Sequence, residues 1–498
     1  YLLIGGLKMK NIEYSGYWWL PSEPDKKIAG TLKFTNDEGI KLRLIGSFLN
    51  FYTAGKIPIN IPIILGIVHK NIMTLCNSIN SCSRRSSPVL ATQEYTSELA
   101  LIGRHFTKPD ELLFNKARVQ YSYLSDWVEL PKIQREFDFI DRNKVKELRF
   151  TYTAPEDIEG TTTYGKFYVI YECSEPGKFD SIDFKKYASL MIQPNEKLSF
   201  NDFYSKFISP LNNFMTFATD RTNSITKLQL FSPWGDVGKE KSDYTLEELP
   251  IQAIYQTIYP ERKKTDRLLA ESEMLFSFSD IKGDFSLILQ KWFNSVDKLD
   301  SIFKLFFNVR YMPDMYLENQ FLNLVQAIES YHHRQIKNHV LPKDEHKNRL
   351  EIVLDSVPGE YKEWLKDKLQ YSNEPTLKER LIELFESIPE IINELIKDKE
   401  AFATQINNAR NYFTHHDESL KKKAPQLEEL YRFIESLSFI LQGCILTELG
   451  CTRERCYQLL NRNNRYQKAV ERAIEPQTEM GKKLREIRLQ MPSQGKIN

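Results

Sequence analysis

The sequence predicts an α+β protein in two parts: a mainly-β, sandwich-like N-terminal domain followed by a C-terminal all-α helical bundle. Three observations carry this. Apolar residues alternate with period two through much of the first half. Beyond about residue 280 they recur at helical spacing instead. At 498 residues the chain is too long for one ordinary core, so two or three domains are expected.

Leu32 and Phe34 alternate, Asn36-Asp37-Glu38-Gly39 turns, and Ile40, Leu42 and Leu44 alternate again, which reads as a hairpin. The same pattern marks strands at Val119/Tyr121/Tyr123, Leu148/Phe150/Tyr152, Phe167/Val169/Tyr171 and Leu228/Leu230. Many short strands separated by turn residues suit a sandwich or an open barrel. A helical piece around Phe203 to Ala218 interrupts them. Trp18-Trp19-Leu20-Pro21 opens the domain; aromatic pairs pack in a core more often than they bind a ligand. The stretch from Ser232 to Glu248, rich in Pro, Gly, Ser and charge, reads as a loop or boundary.

In the second half, Leu317, Phe321, Leu324, Val325, Ile328 and Tyr331 share one helical face. Thr376 to Glu379 forms a capping box after Pro375, and Leu381, Ile382 and Phe385 continue its face. Pro425 is expected in the first turn of a helix with the stripe Leu427, Leu430, Tyr431, Ile434, Leu437, Leu441 and Ile445, ended by Gly450. The expected organisation is a tag remnant or upstream extension over 1–8, a β-rich domain over 9–245, a connector over 246–280, a helical domain over 281–450 and a basic helical tail over 451–498.

A composition of 41% hydrophobic and 27% charged residues is that of a soluble globular protein. Net charge is +1, so any surface for nucleic acid must be local. The opening apolar stretch lacks a secretory pattern, and the run Ile57 to Val68 is too short to span a bilayer and reads as buried strand. A cytoplasmic, membrane-free protein is expected, with its six cysteines reduced. Cys444, Cys451 and Cys456 are weak zinc candidates: their spacing lacks the usual two-cysteine knuckle and no fourth ligand is evident. Packed thiols are favoured, and no cofactor is expected.

The residues with most chemical content are Arg410-Asn411-Tyr412-Phe413-Thr414-His415. Arginine can fork onto a phosphate and stays charged. Histidine can take or give a proton near neutrality. In isolation, the commoner explanation of such spacing is a helix C-terminus whose cations satisfy the last carbonyls. On an ideal helix the five-residue separation rotates one side chain by about 140° from the other. Either the helix breaks between Arg410 and His415, or the working site combines groups from two chains at a symmetric dimer axis.

Lys421, Lys422 and Lys423 follow closely; they are either a solvated loop or a phosphate-contacting patch. From Thr452 to Asn498 eleven Lys/Arg stand against five Asp/Glu. There Arg453, Arg455, Arg462, Arg465 and Lys468 interleave with Tyr457 and Tyr466. Arginine with aromatic rings suits looped or single-stranded RNA, and a basic helix packed on an acidic neighbour is the equal alternative. His332, His333 and His339 could line the site from a neighbouring helix, but paired surface histidines are commoner.

The R-x4-H motif, with Asn411 after the arginine and at a helix end, resembles the HEPN ribonuclease superfamily. The helix Leu317 to Glu329 is similar to the opening helix of ApeA-type HEPN domains. Tyr17-Trp18-Trp19-Leu20-Pro21, Gly30-Thr31-Leu32, Leu42 to Phe48, and Ser122 to Val128 around Trp127 resemble the domain that precedes HEPN in ApeA proteins. The resemblance runs from about Met9 to about Gly450.

It implies a bacterial antiphage effector of the abortive-infection kind. The implied enzyme is a metal-independent endoribonuclease acting as a homodimer or higher homo-oligomer through its HEPN domain. Arg410 and His415 would carry the chemistry and Asn411 would shape the site. His416 satisfies the wider spacing, and His415 is preferred. The expected substrate is RNA, with tRNA anticodon loops first, and a phage protein is the expected trigger. The N-terminal domain would be the sensor or regulator. The alternative is a catalytically silent HEPN module that binds RNA or a protein.

Overall fold

The computed structural model describes residues 12–48, 60–69, 71–86, 89–142, 144–174, 184–233, 249–257, 267–336, 339–416 and 418–474. The opening residues 1–8, most of the loop expected at 232–248, and the tail beyond 474 lie outside these. The chain divides into two compact units: residues 1–270 with 277–290, and residues 271–276 with 291–498.

The first unit is mainly β. Its strands are β1 (Ile12–Trp19), β2 (Ile28–Thr35), β3 (Gly39–Ile45), β4 (Asn60–Val68), β5 (Asn71–Ser86), β6 (Val89–Ile102), β7 (Lys116–Tyr121), β8 (Gln134–Asp141), β9 (Lys144–Thr151), β10 (Ile158–Thr162), β11 (Gly165–Ser174), β12 (Lys185–Pro194), β13 (Ile225–Phe231) and β14 (Ile251–Tyr255). Of the sandwich and the barrel that such strands suit, the mainly-β unit forms a barrel with an attached sheet. The order β6-β3-β2-β1-β4-β5 closes on itself because β5 also pairs with β6. From β6 the sheet continues outward as β14-β13-β7-β12-β11-β10. Closure removes the edges a sandwich would leave open. The sequence pattern could not separate the two, since each needs the same inward alternation.

The predicted β2–β3 hairpin is present, with Leu32 opposite Leu42 and Phe34 opposite Ile40. Trp18 is fully buried and Trp19 nearly so, so this pair belongs to the core. The Trp18 indole N–H donates to the Gly30 carbonyl at 3.2 Å. Gly66 lies opposite Trp18 on β4, where an added Cβ would stand 2.3 Å from the indole ring. The predicted helical interruption comprises α2 (Phe200–Phe203), a π-helical turn (Tyr204–Ile208) and α3 (Ser209–Ala218). Pro210, which cannot donate a backbone hydrogen bond, follows the widened turn. A one-turn helix, α1 (Leu124–Trp127), buries Trp127 against Phe214 and Phe278.

The helices that follow are α4 (Phe285–Lys298), α5 (Asp300–Tyr311), α6 (Leu317–Gln335), α7 (Lys343–Asp355), α8 (Gly359–Lys368), α9 (Leu377–Ser387), α10 (Pro389–Leu395), α11 (Lys399–His415), α12 (Leu427–Glu448), α13 (Arg453–Arg462) and α14 (Asn464–Ile474). The second unit is all-helical. Its centre is α12, in which every residue from Phe433 to Leu446 is buried, as expected of a helix covered on all sides. The capping box at α9 forms as read: Thr376 N–H donates to Glu379 at 2.7 Å and Glu379 N–H to Thr376 at 3.3 Å. Pro425 does not sit inside α12; it precedes the N-cap residue Gln426. Gly450 ends that helix in the left-handed region at φ 87°, which favours glycine.

The expected connector, 246–280, contains the sheet strand β14 and the buried Met274, Leu275 and Phe276 of the second unit. The expected tail begins with α13 and α14, which belong to the second unit and bury Cys456, Leu459, Leu460 and Tyr466.

Candidate functional site

The candidate motif lies at the end of α11. Asp398 caps the start of this helix by accepting the Ala401 N–H at 2.9 Å. Ala403, Ile406 and Ala409 are its buried face. Phe402 packs against Phe385 of α9 and Phe433 of α12, and Phe413 meets Phe321 of α6 with ring centroids 5.9 Å apart. These contacts fix the last turns of α11 against α6.

The helix runs unbroken through Arg410 to His415. It stops at His416, a non-glycine residue in the left-handed region at φ 50°, whose N–H donates to the Tyr412 carbonyl at 2.7 Å. The Tyr412 ring stands edge-on to the His416 ring at 6.3 Å. The break that would bring Arg410 and His415 onto one face is therefore absent. On continuous helix they diverge by about 140°.

Arg410 is about one-third exposed and oriented by two oxygens. Its Nη1 donates to Asn411 Oδ1 at 3.1 Å, and its Nη2 lies 3.7 Å from Glu329 Oε1 on α6. His415 and His416 are exposed. Glu329 is the site residue that sequence reasoning missed. It sits at the end of the quoted α6 stretch, one helical turn from His332, but its approach to Arg410 depends on the α6–α11 packing.

His332 is not the surface histidine expected; it is fully buried, while His333 and His339 are exposed. Its Nε2 lies 2.5 Å from Glu383 Oε2 of α9, and its Nδ1 lies 3.3 Å from Arg380 Nη1. Arginine only donates, so Nδ1 accepts and Nε2–H donates: this is the neutral tautomer. Burial pulls its pKa below the usual histidine value, and the nearby Arg380 charge adds to this against the opposing pull of Glu383. Arg380 also donates to the Pro375 carbonyl at 2.9 Å and pairs with Glu374 at 3.2 Å.

Lys421 and Lys422 are exposed on the 3-10 turn Glu418–Lys423; the Lys423 side chain lies outside the described positions. Among the tail arginines, Arg453 is exposed at the start of α13, while Arg455 and Arg462 are half-buried. The Arg465 guanidinium covers the Phe439 ring at 4.9 Å. Tyr457 donates to Glu394 at 2.7 Å, and the fully buried Tyr466 reaches the Ile391 carbonyl at 3.2 Å. Tyr466 thus has no face open to a base. Tyr457 and Tyr466 tie α13 and α14 to Glu394, and Arg472 pairs with Glu435 of α12.

Of the three clustered cysteines, Cys451 is half-buried. Cys444 and Cys456 are buried. Burial pushes the Cys444 thiol up to about 12, and the neighbouring Cys451 thiol with burial raises that of Cys456. Among the described residues no group of three or more His, Cys, Asp or Glu side chains is placed to hold a metal ion.

Two family models match the chain. The model for ApeA N-terminal domain 1 matches residues 13–292, more than half of the chain. The model for the Apea-like HEPN domain matches residues 322–455, which include Glu329 and the stretch from Arg410 to His416. No curated protein and no solved structure gives a significant match.

Proposed function

The chain belongs to the ApeA-type HEPN proteins, and from that premise we propose that it is a metal-independent endoribonuclease of bacterial antiphage defence. The observation that carries this reading is a permanently charged, partly exposed Arg410 oriented by Asn411 and Glu329, on a helix that ends in two exposed histidines.

The ribose 2′-OH is the nucleophile on the adjacent phosphate. One imidazole takes the 2′-OH proton as the O2′–P bond forms. As the P–O5′ bond breaks, a second imidazole gives a proton to the departing 5′-oxygen. Arg410 stabilises the charge that builds on the phosphoryl oxygens. The products carry a 2′,3′-cyclic phosphate and a 5′-OH. Because Arg410 and His415 diverge on one unbroken helix, we assign the working constellation to two copies of the chain, each supplying an arginine and a histidine. His415 is the preferred histidine and His416, at the helix cap, the supporting one.

Lys421, Lys422 and Arg453 are the exposed cations assigned to the RNA backbone. The substrate is tRNA, cut at its anticodon loop, and the trigger is a phage protein sensed through the N-terminal unit, which holds the nuclease silent before infection. A cytoplasmic setting follows from such a substrate, and no described helix is long and apolar enough to cross a membrane.

The deciding experiment is cleavage of a total tRNA pool in EDTA by the native protein, Arg410→Ala and His415→Ala, with and without lysate from infected cells. Fragments with cyclic-phosphate ends from the native protein alone are expected. Fragments from all three proteins, or from none under either condition, would reject the reading.

A further inference from the structure

Cys444, Cys451 and Cys456 stand close together where α12 ends and α13 begins, and all three are free thiols. The corner between the helices fixes Cys451 from both sides. Gly450 turns in the left-handed region, its N–H bonds to the Thr447 carbonyl at 2.8 Å, and the Cys451 N–H bonds to the Leu446 carbonyl at 3.0 Å. This paired closure is that of a glycine-terminated helix. On the other side, Thr452 caps α13 by accepting the Arg455 N–H at 3.2 Å.

Cys451 is therefore the residue before the cap, and Cys456 is the fourth residue of α13. Side chains at these two positions meet across a helix start. A helical side chain leans toward the N-terminus of its helix, so Cys456 reaches back over the cap. Its Sγ lies 3.8 Å from the Cys451 carbonyl oxygen, and its thiol is hydrogen-bonded to that of Cys451. Exposure separates the pair: Cys451 is half-buried, whereas Cys456 is buried. A soluble oxidant meets Cys451 first.

We propose that Cys451 and Cys456 are a peroxide-sensitive thiol pair that closes into a disulfide across the α12–α13 corner. The Cys451 sulfur attacks hydrogen peroxide, the O–O bond breaks, and a sulfenic acid forms as water leaves. The Cys456 sulfur then attacks the Cys451 sulfur. The S–O bond breaks, and the hydroxyl leaves with the Cys456 proton as a second water. The pair loses two electrons, which reduce the peroxide. A dithiol reductant returns two electrons and two protons. The raised Cys456 thiol makes the second step the slower one. In a reducing compartment such a bond is transient and redox-sensing rather than structural.

Peptide mapping of the full chain tests it. Folded protein is treated with hydrogen peroxide, and the remaining thiols are blocked with N-ethylmaleimide before denaturation. Trypsin cuts after Arg453 and Arg455, so the bond joins the peptide ending at Arg453 to the one beginning at Cys456. The native chain is expected to give this linked pair, lighter by two hydrogens than the separate peptides, and dithiothreitol is expected to part it. Cys444 lies on the same peptide as Cys451, so fragmentation of the linked pair must place the bond on Cys451. Cys451→Ser, at a half-buried position, is expected to keep native melting and lose the linkage. The proposal is overturned if folded native protein gives no linked pair, if the bond maps to Cys444, or if the pair survives Cys451→Ser.

Discussion

Glu329 on α6 holds its carboxylate 3.7 Å from the Arg410 guanidinium on α11, so the motif arginine is aimed by a residue 81 positions earlier in the chain. Glu329→Gln keeps an oxygen at that position but removes its charge. The pair is partly exposed, and such pairs contribute about 1 kcal/mol or less to stability. Melting should therefore change little. If Arg410 serves phosphoryl transfer, tRNA cleavage should fall by roughly tenfold, because the fork is no longer held in the orientation that meets developing charge. Unchanged cleavage at equal folded protein would remove Glu329 from the site.

Arg410 itself allows a sharper comparison. Loss of a donor that meets charge in the transition state typically lowers turnover by about 10²–10³-fold. Arg410→Ala should show a loss of that size with almost native melting, since the side chain is about one-third exposed. Arg410→Lys keeps the charge but cannot present a planar fork, and only partial recovery is expected. Full recovery with lysine would show that charge alone suffices. Single-turnover cleavage of a labelled tRNA measures all three.

Much of this was legible in the sequence, for physical reasons that differ by element. The β2–β3 hairpin, the α9 capping box and the Gly450 stop are local devices, and each is written within a few residues. The α6 stripe is legible because helical burial repeats every three to four residues; in α12 burial is continuous from Phe433 to Leu446, while Leu427 and Tyr431 of the expected stripe are exposed. The barrel closure is not local: it depends on β5 meeting β6, and the inward alternation is the same in a sandwich. The burial of His332 was hidden because its partners, Arg380 and Glu383, come from α9. The same holds for Glu329, whose approach to Arg410 no spacing rule reports. Leu148 and Phe150 read correctly as strand, but their alternation says nothing of whether a neighbour covers them.

His332 gives a pH prediction. Burial depresses its pKa below the unfolded value, so the folded state prefers the neutral ring. The stability this group contributes is full above the unfolded histidine pKa, about 6.5. It is lost as pH falls through the lower folded value, because the unfolded chain then binds the extra proton. Melting of the second unit should drop as pH is lowered from 7 to 5. His332→Gln, which can still donate to Glu383, should flatten that slope. An equally steep slope in the variant would assign the acid sensitivity to other groups.

In the barrel, Gly66→Ala is expected to destabilise the first unit. The new Cβ would stand 2.3 Å from the Trp18 ring, whose indole is fixed by its bond to the Gly30 carbonyl. Overpacking of this kind costs about 1–3 kcal/mol, and more where the neighbour cannot move. Denaturant unfolding followed through Trp fluorescence would detect it. The double variant Gly66→Ala with Trp18→Leu should recover part of the loss, since the clash is with the indole. No recovery would place the strain in the strand backbone.

The last prediction concerns where the helical unit can be cut. A fragment beginning near residue 281 follows the boundary suggested by periodicity, but it removes residues 271–276, which belong to the second unit. Met274, Leu275 and Phe276 are each about 1% exposed, and the Met274 carbonyl accepts the Nδ2 hydrogen of the buried Asn463 at 3.0 Å. Removing them strips three apolar side chains from the core and leaves a buried amide short of a partner, a loss of several kcal/mol. Residues 271–498 should therefore give a cooperatively folded fragment where 281–498 does not, as judged by melting and protease resistance. If the N-terminal unit silences the nuclease, only the longer fragment should be more toxic to cells than the full chain. A folded, non-toxic 271–498 fragment would place the silencing within the helical unit itself.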